Sequence, residues 1–124
     1  MIPRIESSIE RFGDRFLDRI FTAAEREHAD RLSGAARMGS YAKRWAAKEA
    51  CAKALGTGFA NGVQLQDVGV INSESGAPVL VLSGRAKDVC GSLAPSGHRA
   101  EVLVSLTDDP PFALAQVIIQ AVAA

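Results

Sequence analysis

The sequence lacks an excess of charge of either sign. Fourteen Lys and Arg balance fourteen Asp and Glu in 124 residues, for a formal net charge of zero. Nucleic-acid and membrane-surface binders normally carry a large basic surplus. Both partners are therefore excluded as general ligands, and any charge-based function must arise from local clustering. Cysteine is scarce: Cys51 and Cys90 stand alone, without metal-ligand spacing, and are expected to be buried reduced thiols. No segment resembles a signal peptide. The most apolar run, 112–124, is too short to cross a bilayer, so the expected location is cytoplasmic. Repeats, linkers and low-complexity tracts are absent. So are G-x-x-x-x-G-K-[ST] and G-x-G-x-x-G, which removes the P-loop and the dinucleotide fingerprint.

What remains is an ordinary globular composition, 48% hydrophobic and 23% charged, in a chain long enough for one domain with a real core. Ile5, Ile9 and Phe12 recur at helical spacing until Gly13 interrupts them, and Phe16, Leu17, Ile20 and Phe21 form a second apolar group. Thr22 followed by Glu25 fits a capping box, so a further helix starts there, its charged residues from Glu25 to Arg31 mostly solvated. Residues 33–40, with Gly34 and Gly39, read as a loop. A helix over 41–55 stops at Gly56. Strands are expected at 63–72 and 78–82 around the turn 73–77, then a short helix at 85–93. Two more strands follow, at 100–107 and 112–122, on either side of "DDPP". The fold class is α+β, a small antiparallel sheet packed with helices.

The segment "KRWAAKEACAKALGTG" (43–58) carries the chemistry. At about 100° per residue, with Arg44 at zero, Lys48 falls near 40°, Glu49 near 140° and Lys53 near 180°. Ala47, Ala50, Cys51 and Ala54 occupy the arc from about 240° to 340°, which is expected to be the packed face. A solvated helix with a Glu49–Lys53 pair accounts for part of this pattern. One carboxylate cannot neutralise Lys43, Arg44, Lys48 and Lys53. That cationic surplus, beside a Gly-Thr-Gly turn offering backbone N–H groups, suits a polyphosphate. An acid among phosphates implies a bridging divalent cation, and Mg²⁺ is commonly held by one or two carboxylates plus phosphate oxygens. His28 and His98, isolated in polar surroundings, are read as neither catalytic nor metal-binding. Arg85 and Arg99 are read as surface residues.

Four blocks then carry a resemblance: "RFLDRIFTAAE" (15–25), "YAKRWAAKEACAKALGTG" (41–58), "VQLQDVGVINSESGAPVLVLSGRA" (63–86) and "VSLTDD" (104–109). In this order they resemble the holo-[acyl-carrier-protein] synthases, the small bacterial 4′-phosphopantetheinyl transferases. The resemblance implies transfer of phosphopantetheine from coenzyme A to a serine of an acyl carrier protein, in fatty acid biosynthesis. It also implies a Mg²⁺ cofactor and a homotrimer with active sites at subunit interfaces. Glu49 matches the family's metal-binding glutamate, and Lys53 the lysine beside the reacting phosphate. Arg44 and Lys48 match cations near the coenzyme A phosphates, and Gly56, Thr57 and Gly58 the turn beside the nucleotide. Ser105 and Thr107 match the strand lining the nucleotide pocket. Arg4 and Arg15 match basic positions that meet the carrier protein. Phe16 and Phe21 nearby are assigned to core packing.

Two departures stand out: Leu106 occupies a position where many members have histidine, in an S-H-T context, and the opening of the chain differs. The family opens with a strand reading roughly G-I-G-x-D, whose aspartate is the first metal ligand. Registering Arg4-Ile5 on the family's R-I puts that aspartate ahead of residue 1, and the first Asp here is Asp14. The resemblance then implies a domain without that strand and with one of its two metal acids. Two readings stay open: a transferase, or a homologue that binds coenzyme A or carrier protein without turnover.

Overall fold

The first helix forms where the apolar spacing places it. In the computed structural model, which describes residues 2–124, α1 runs Ile2–Ile20 and buries Ile5, Ile9, Leu17 and Ile20. It breaks at Gly13, whose backbone (φ 61°, ψ −142°) lies in a region that disfavours a side chain. The second helix, α2, runs Ala23–Asp30, and its capping box is complete: the Thr22 hydroxyl accepts from Glu25 N, and Glu25 Oε1 accepts from Thr22 N.

The long helix α3 differs from expectation at its start. It runs Gly34–Leu55, 22 residues, so the segment read as a loop is its first two turns. Gly39 is a packing residue there, buried where a Cβ would lie 2.9 Å from an Asp108 carboxylate oxygen. A single 3₁₀ turn, Leu65–Asp67, occupies the front of the expected 63–72 strand, leaving β1 at Val68–Asn72. Then follow β2 (Pro78–Leu82), α4 (Gly84–Leu93), β3 (His98–Asp109) and β4 (Phe112–Ala123).

The strands pair as two antiparallel hairpins, β1–β2 and β3–β4. In the second hairpin Val102 faces Ile119 and Val104 faces Val117, and all four pack on the core. The intervening pairs Leu103–Ile118, Ser105–Gln116 and Thr107–Leu114 necessarily point the other way. One cluster of buried side chains joins α1, α2 and the first half of α3. A second joins the last turns of α3 to β1, β2 and α4.

The packed face of α3 is rotated from the expected small-residue arc. Tyr41, Arg44, Lys48, Ala52 and Leu55 are buried together with Ala47 and Cys51 of the expected arc, while Ala54 is exposed and Ala50 only half-buried. Two cations are inside because each has partners. The Lys48 ammonium donates to Glu25 Oε1 at 2.7 Å, to Leu65 O at 3.0 Å and to Val68 O. Glu25 Oε2 accepts from Val70 N at 3.1 Å. Both side chains are completely buried. Glu25, expected among solvated charges, is instead the polar centre tying α2, α3 and β1 together.

Candidate functional site

Turning the Lys48 face inward turns its sequence neighbour Glu49 outward. Glu49 and Lys53, one turn apart on α3, open into a cleft of about 710 Å³ that Arg4, Ser8, Trp45 and Leu114 also line. The wall is firm: Trp45 stacks on Phe16 with ring centroids 6.2 Å apart. Phe21 lies in the core, 4.8 Å from the Tyr41 ring. Among the described residues no ion pair joins Glu49 to Lys53, so the helix-surface pair does not form. An acid and a cation that share a cleft without neutralising each other are both available to a ligand.

Among the described residues no group of three or more His, Cys, Asp or Glu side chains is placed to hold a metal ion. The donor set for a cation in this cleft is therefore the single carboxylate of Glu49. That fits Mg²⁺ only in its phosphate-bridging mode, with the remaining ligands supplied by substrate oxygens and water.

Arg44 lies on a different face and lines a second cleft, of about 360 Å³, with His28, Ser40, Lys43, Asn72 and Asp108. Its guanidinium donates to Ser40 Oγ at 2.9 Å and Asn72 Oδ1 at 3.0 Å. These are neutral acceptors, and its Nε is buried with no partner among the described residues. Burial lowers the Arg44 pKa against the opposing pull of Glu25. Lys43 pairs with Asp108 at 3.4 Å. The His28 imidazole is held below its ordinary 6.5, first by burial and then by Arg44, Arg31 and Lys43. Of these cations, the local sequence shows only Arg31 beside His28; Lys43 and Arg44 come from a different helix.

Two expected contacts are corrected. Lys48 is not a free cation for an external phosphate. All three of its donors are engaged inside the core, and burial lowers its pKa. The Gly-Thr-Gly turn does not offer its glycine N–H groups either: Gly56 N donates to Lys53 O and Gly58 N to Ala52 O, closing the end of α3. The Thr57 hydroxyl donates to Gly58 O at 2.7 Å. A helix C-terminus also presents carbonyls, the wrong dipole end for an anion.

The remaining assigned residues are dispersed within one chain. Ser105 and Thr107 sit on the exposed sheet face, away from the side packed on the core. Arg15 is exposed on α1 beyond the Gly13 break. Arg85 donates to Asn61 O and Arg99 pairs with Glu101, both at the surface. Cys51 and Cys90 are buried and unbridged, as expected. No helix among the described residues is long and apolar enough to cross a membrane.

The described arrangement has relatives. A family profile described as the 4′-phosphopantetheinyl transferase superfamily matches residues 1–114. A holo-[acyl-carrier-protein] synthase of Gluconobacter oxydans is 73% identical over 122 residues, covering 98% of this chain and 78% of that protein. A crystal structure of a Bacillus anthracis holo-(acyl-carrier-protein) synthase in complex with CoA (3′,5′-ADP) superposes with a TM-score of 0.74. It is 35% identical and covers 95% of this chain and 87% of that one. The Helicobacter pylori holo-[acyl-carrier-protein] synthase in complex with coenzyme A gives 0.77, with 28% identity and coverage of 96% and 93%.

Proposed function

The chain belongs to the 4′-phosphopantetheinyl transferase superfamily, and from that premise we propose that it moves 4′-phosphopantetheine from coenzyme A to a serine of an apo acyl carrier protein. The other product is adenosine 3′,5′-bisphosphate, and the reaction serves fatty acid synthesis. The observation that carries this reading is the cleft in which Glu49 and Lys53 face the same space unpaired.

Phosphoryl-type transfer asks a protein for alignment and charge neutralisation more than for covalent help. A Mg²⁺ ion, when bound, supplies Lewis-acid neutralisation of the coenzyme A pyrophosphate. Glu49 is the residue that would hold it. Lys53, exposed in the same cleft, stabilises charge on the reacting and leaving oxygens. Arg44 and Lys43, in the second cleft, suit the phosphate monoester of coenzyme A, a dianion that needs no metal. Arg4 and Arg15 offer positive charge on α1 to an acidic carrier protein.

The two clefts lie on different faces of α3, and Ser105 and Thr107 lie on a third surface. A homotrimer reconciles them. The outward face of β3–β4 exposes Leu103, Phe112, Leu114 and Ile118, each between 45% and 56% accessible. Leu114 also belongs to the Glu49 cleft. Copies packed through this face would bury an apolar patch and carry Ser105 and Thr107 of one chain to the cleft edge of the next. Two buried free thiols suit a reducing cytoplasm.

The test is conversion of apo to holo carrier protein with coenzyme A and Mg²⁺, read as the mass gain of one phosphopantetheine. Conversion that depends on Mg²⁺ supports the reading. Folded protein that gives none with ample Mg²⁺ overturns it, and coenzyme A binding without turnover would then identify a non-catalytic binding protein.

A further inference from the structure

The Arg44 cleft contains one titratable side chain that the proposed chemistry leaves unused. His28, half-buried on α2, lines it beside Lys43 and Arg44 of α3. The charged groups facing the imidazole are Arg31 from its own helix, Lys43 and Arg44 from α3, and Asp108 from β3. Asp108 is engaged by Lys43 at 3.4 Å. Three cations therefore lie around one histidine; Arg31 pairs with Glu27 at 2.5 Å and Lys43 with Asp108, which leaves Arg44 as the cation with no bonded carboxylate.

A second observation points to an anion. Arg44 is only 3% exposed. Its hydrogen-bonded atoms meet only neutral oxygens from Ser40 and Asn72, and its Nε has no partner among the described residues. A buried guanidinium with no bonded counter-charge, on the wall of an open cleft, suits a phosphate.

We propose that His28 is a proton-coupled phosphate ligand: it takes up a proton when the phosphate monoester of coenzyme A enters the cleft, making coenzyme A affinity pH-responsive. This rests on the coenzyme A reading above. In the empty cleft, burial and the cations hold the imidazole below its ordinary pKa. A dianion reverses the local field and favours the imidazolium. By linkage, whatever the ligand adds to proton affinity the proton adds to ligand affinity.

The experiment is calorimetric titration of coenzyme A in Mg²⁺-containing buffers of different ionisation enthalpy, from pH 5.5 to 8, without carrier protein. Wild type, His28→Gln and His28→Lys are compared. Near pH 6.5 the wild type should take up about half a proton more per coenzyme A bound than His28→Gln. Between pH 5.5 and 8 it should lose about tenfold more affinity than His28→Gln, the equivalent of a one-unit rise in imidazole pKa on binding. His28→Lys should keep tight binding at pH 8. With 3′-dephospho-coenzyme A, which lacks the monoester, the wild-type excess should vanish. Equal proton uptake in wild type and His28→Gln overturns the proposal, as does an excess that survives removal of the monoester. Failure of coenzyme A to bind wild type at any pH instead overturns the coenzyme A reading itself. An independent measurement needs no variant. The chain has two histidines, and His98, exposed at the start of β3 with Nδ1 near Ser96 O, serves as the reference in an imidazole NMR titration. Coenzyme A should raise the His28 midpoint and leave His98 in place, and an unmoved His28 overturns the proposal.

Discussion

The Glu25–Lys48 pair concentrates cost in single atoms. Both side chains are fully buried, so removing one leaves the other charge without compensation. Lys48→Met should destabilise the fold by about 3–5 kcal/mol in urea unfolding. Adding Glu25→Gln, which keeps an acceptor for Thr22 N or Val70 N, should recover much of that loss. Losses that simply sum in the double variant would show that the two residues act independently. At the cleft the expected signature is opposite. Glu49 is only half-buried and unpaired, so Glu49→Gln should leave the unfolding midpoint unchanged. Turnover should fall by roughly 10²-fold or more, measured as holo carrier protein formed. Lys53→Ala should lower kcat more than it weakens coenzyme A binding, because its charge is needed most in the transition state. A change confined to KM would reduce it to a binding residue.

Among the elements, α3 lines both clefts, and its end shows how it is held. Gly56 caps the helix at φ 83°, with its N–H on Lys53 O. Gly56→Ala should therefore cost about 1 kcal/mol of stability, visible as a lower melting temperature. The same element shows what could be read from residues alone. Its C-terminal stop, the Thr22–Glu25 capping box and the strands β2 and β4 all follow from neighbours within a few positions, and local chemistry reveals them. Its true beginning does not. Gly39 looks like a breaker until Asp108, far along the chain, is seen filling the space where a side chain would stand. The packed face was placed only in part, with Ala47 and Cys51 inside as expected, for the same reason. Four cations on a helix suggest solvent, and only the tertiary fold supplies Lys48 with Glu25, a residue 23 positions earlier. Glu49 and Lys53 still reach a cleft because their arc stayed open. The cleft beside His28 was not legible in its own helix, because Lys43 and Arg44 come from another.

For the whole molecule, two buried groups contribute stability that alkali removes. The Tyr41 phenol is pushed up to about 12, from an ordinary 10.0, by burial and by its hydrogen bond to Asp30. The Cys51 thiol is pushed up to about 11, from 9.0, by burial and by Cys90. In both cases the folded state keeps a proton that the unfolded chain has released. Their contribution to stability is thus intact below about pH 9 and is lost as pH rises through the window from 9 to 12, while the lowered Lys48 pKa acts in the opposite sense. Urea midpoints measured from pH 7 to 11.5 isolate the phenol: wild type should lose more stability than Tyr41→Phe across the upper part of the range. The proposed homotrimer is tested on the outward sheet face: Ile118→Asp, on a strand position 46% accessible in the single chain, should yield folded monomers by light scattering. It should also lose transfer activity, since the Ser105–Thr107 face would no longer meet a neighbouring cleft.

Positions 48 and 49 are consecutive, yet one points into the protein and the other out of it. Adding or deleting a single amino acid early in α3 would swing everything downstream by about 100°, driving the wrong charge into the interior while the reactive acid lost its aim. Folding thereby acts as its own proofreader: a helix inserted in the wrong rotation has no stable core in which to persist as a poor catalyst.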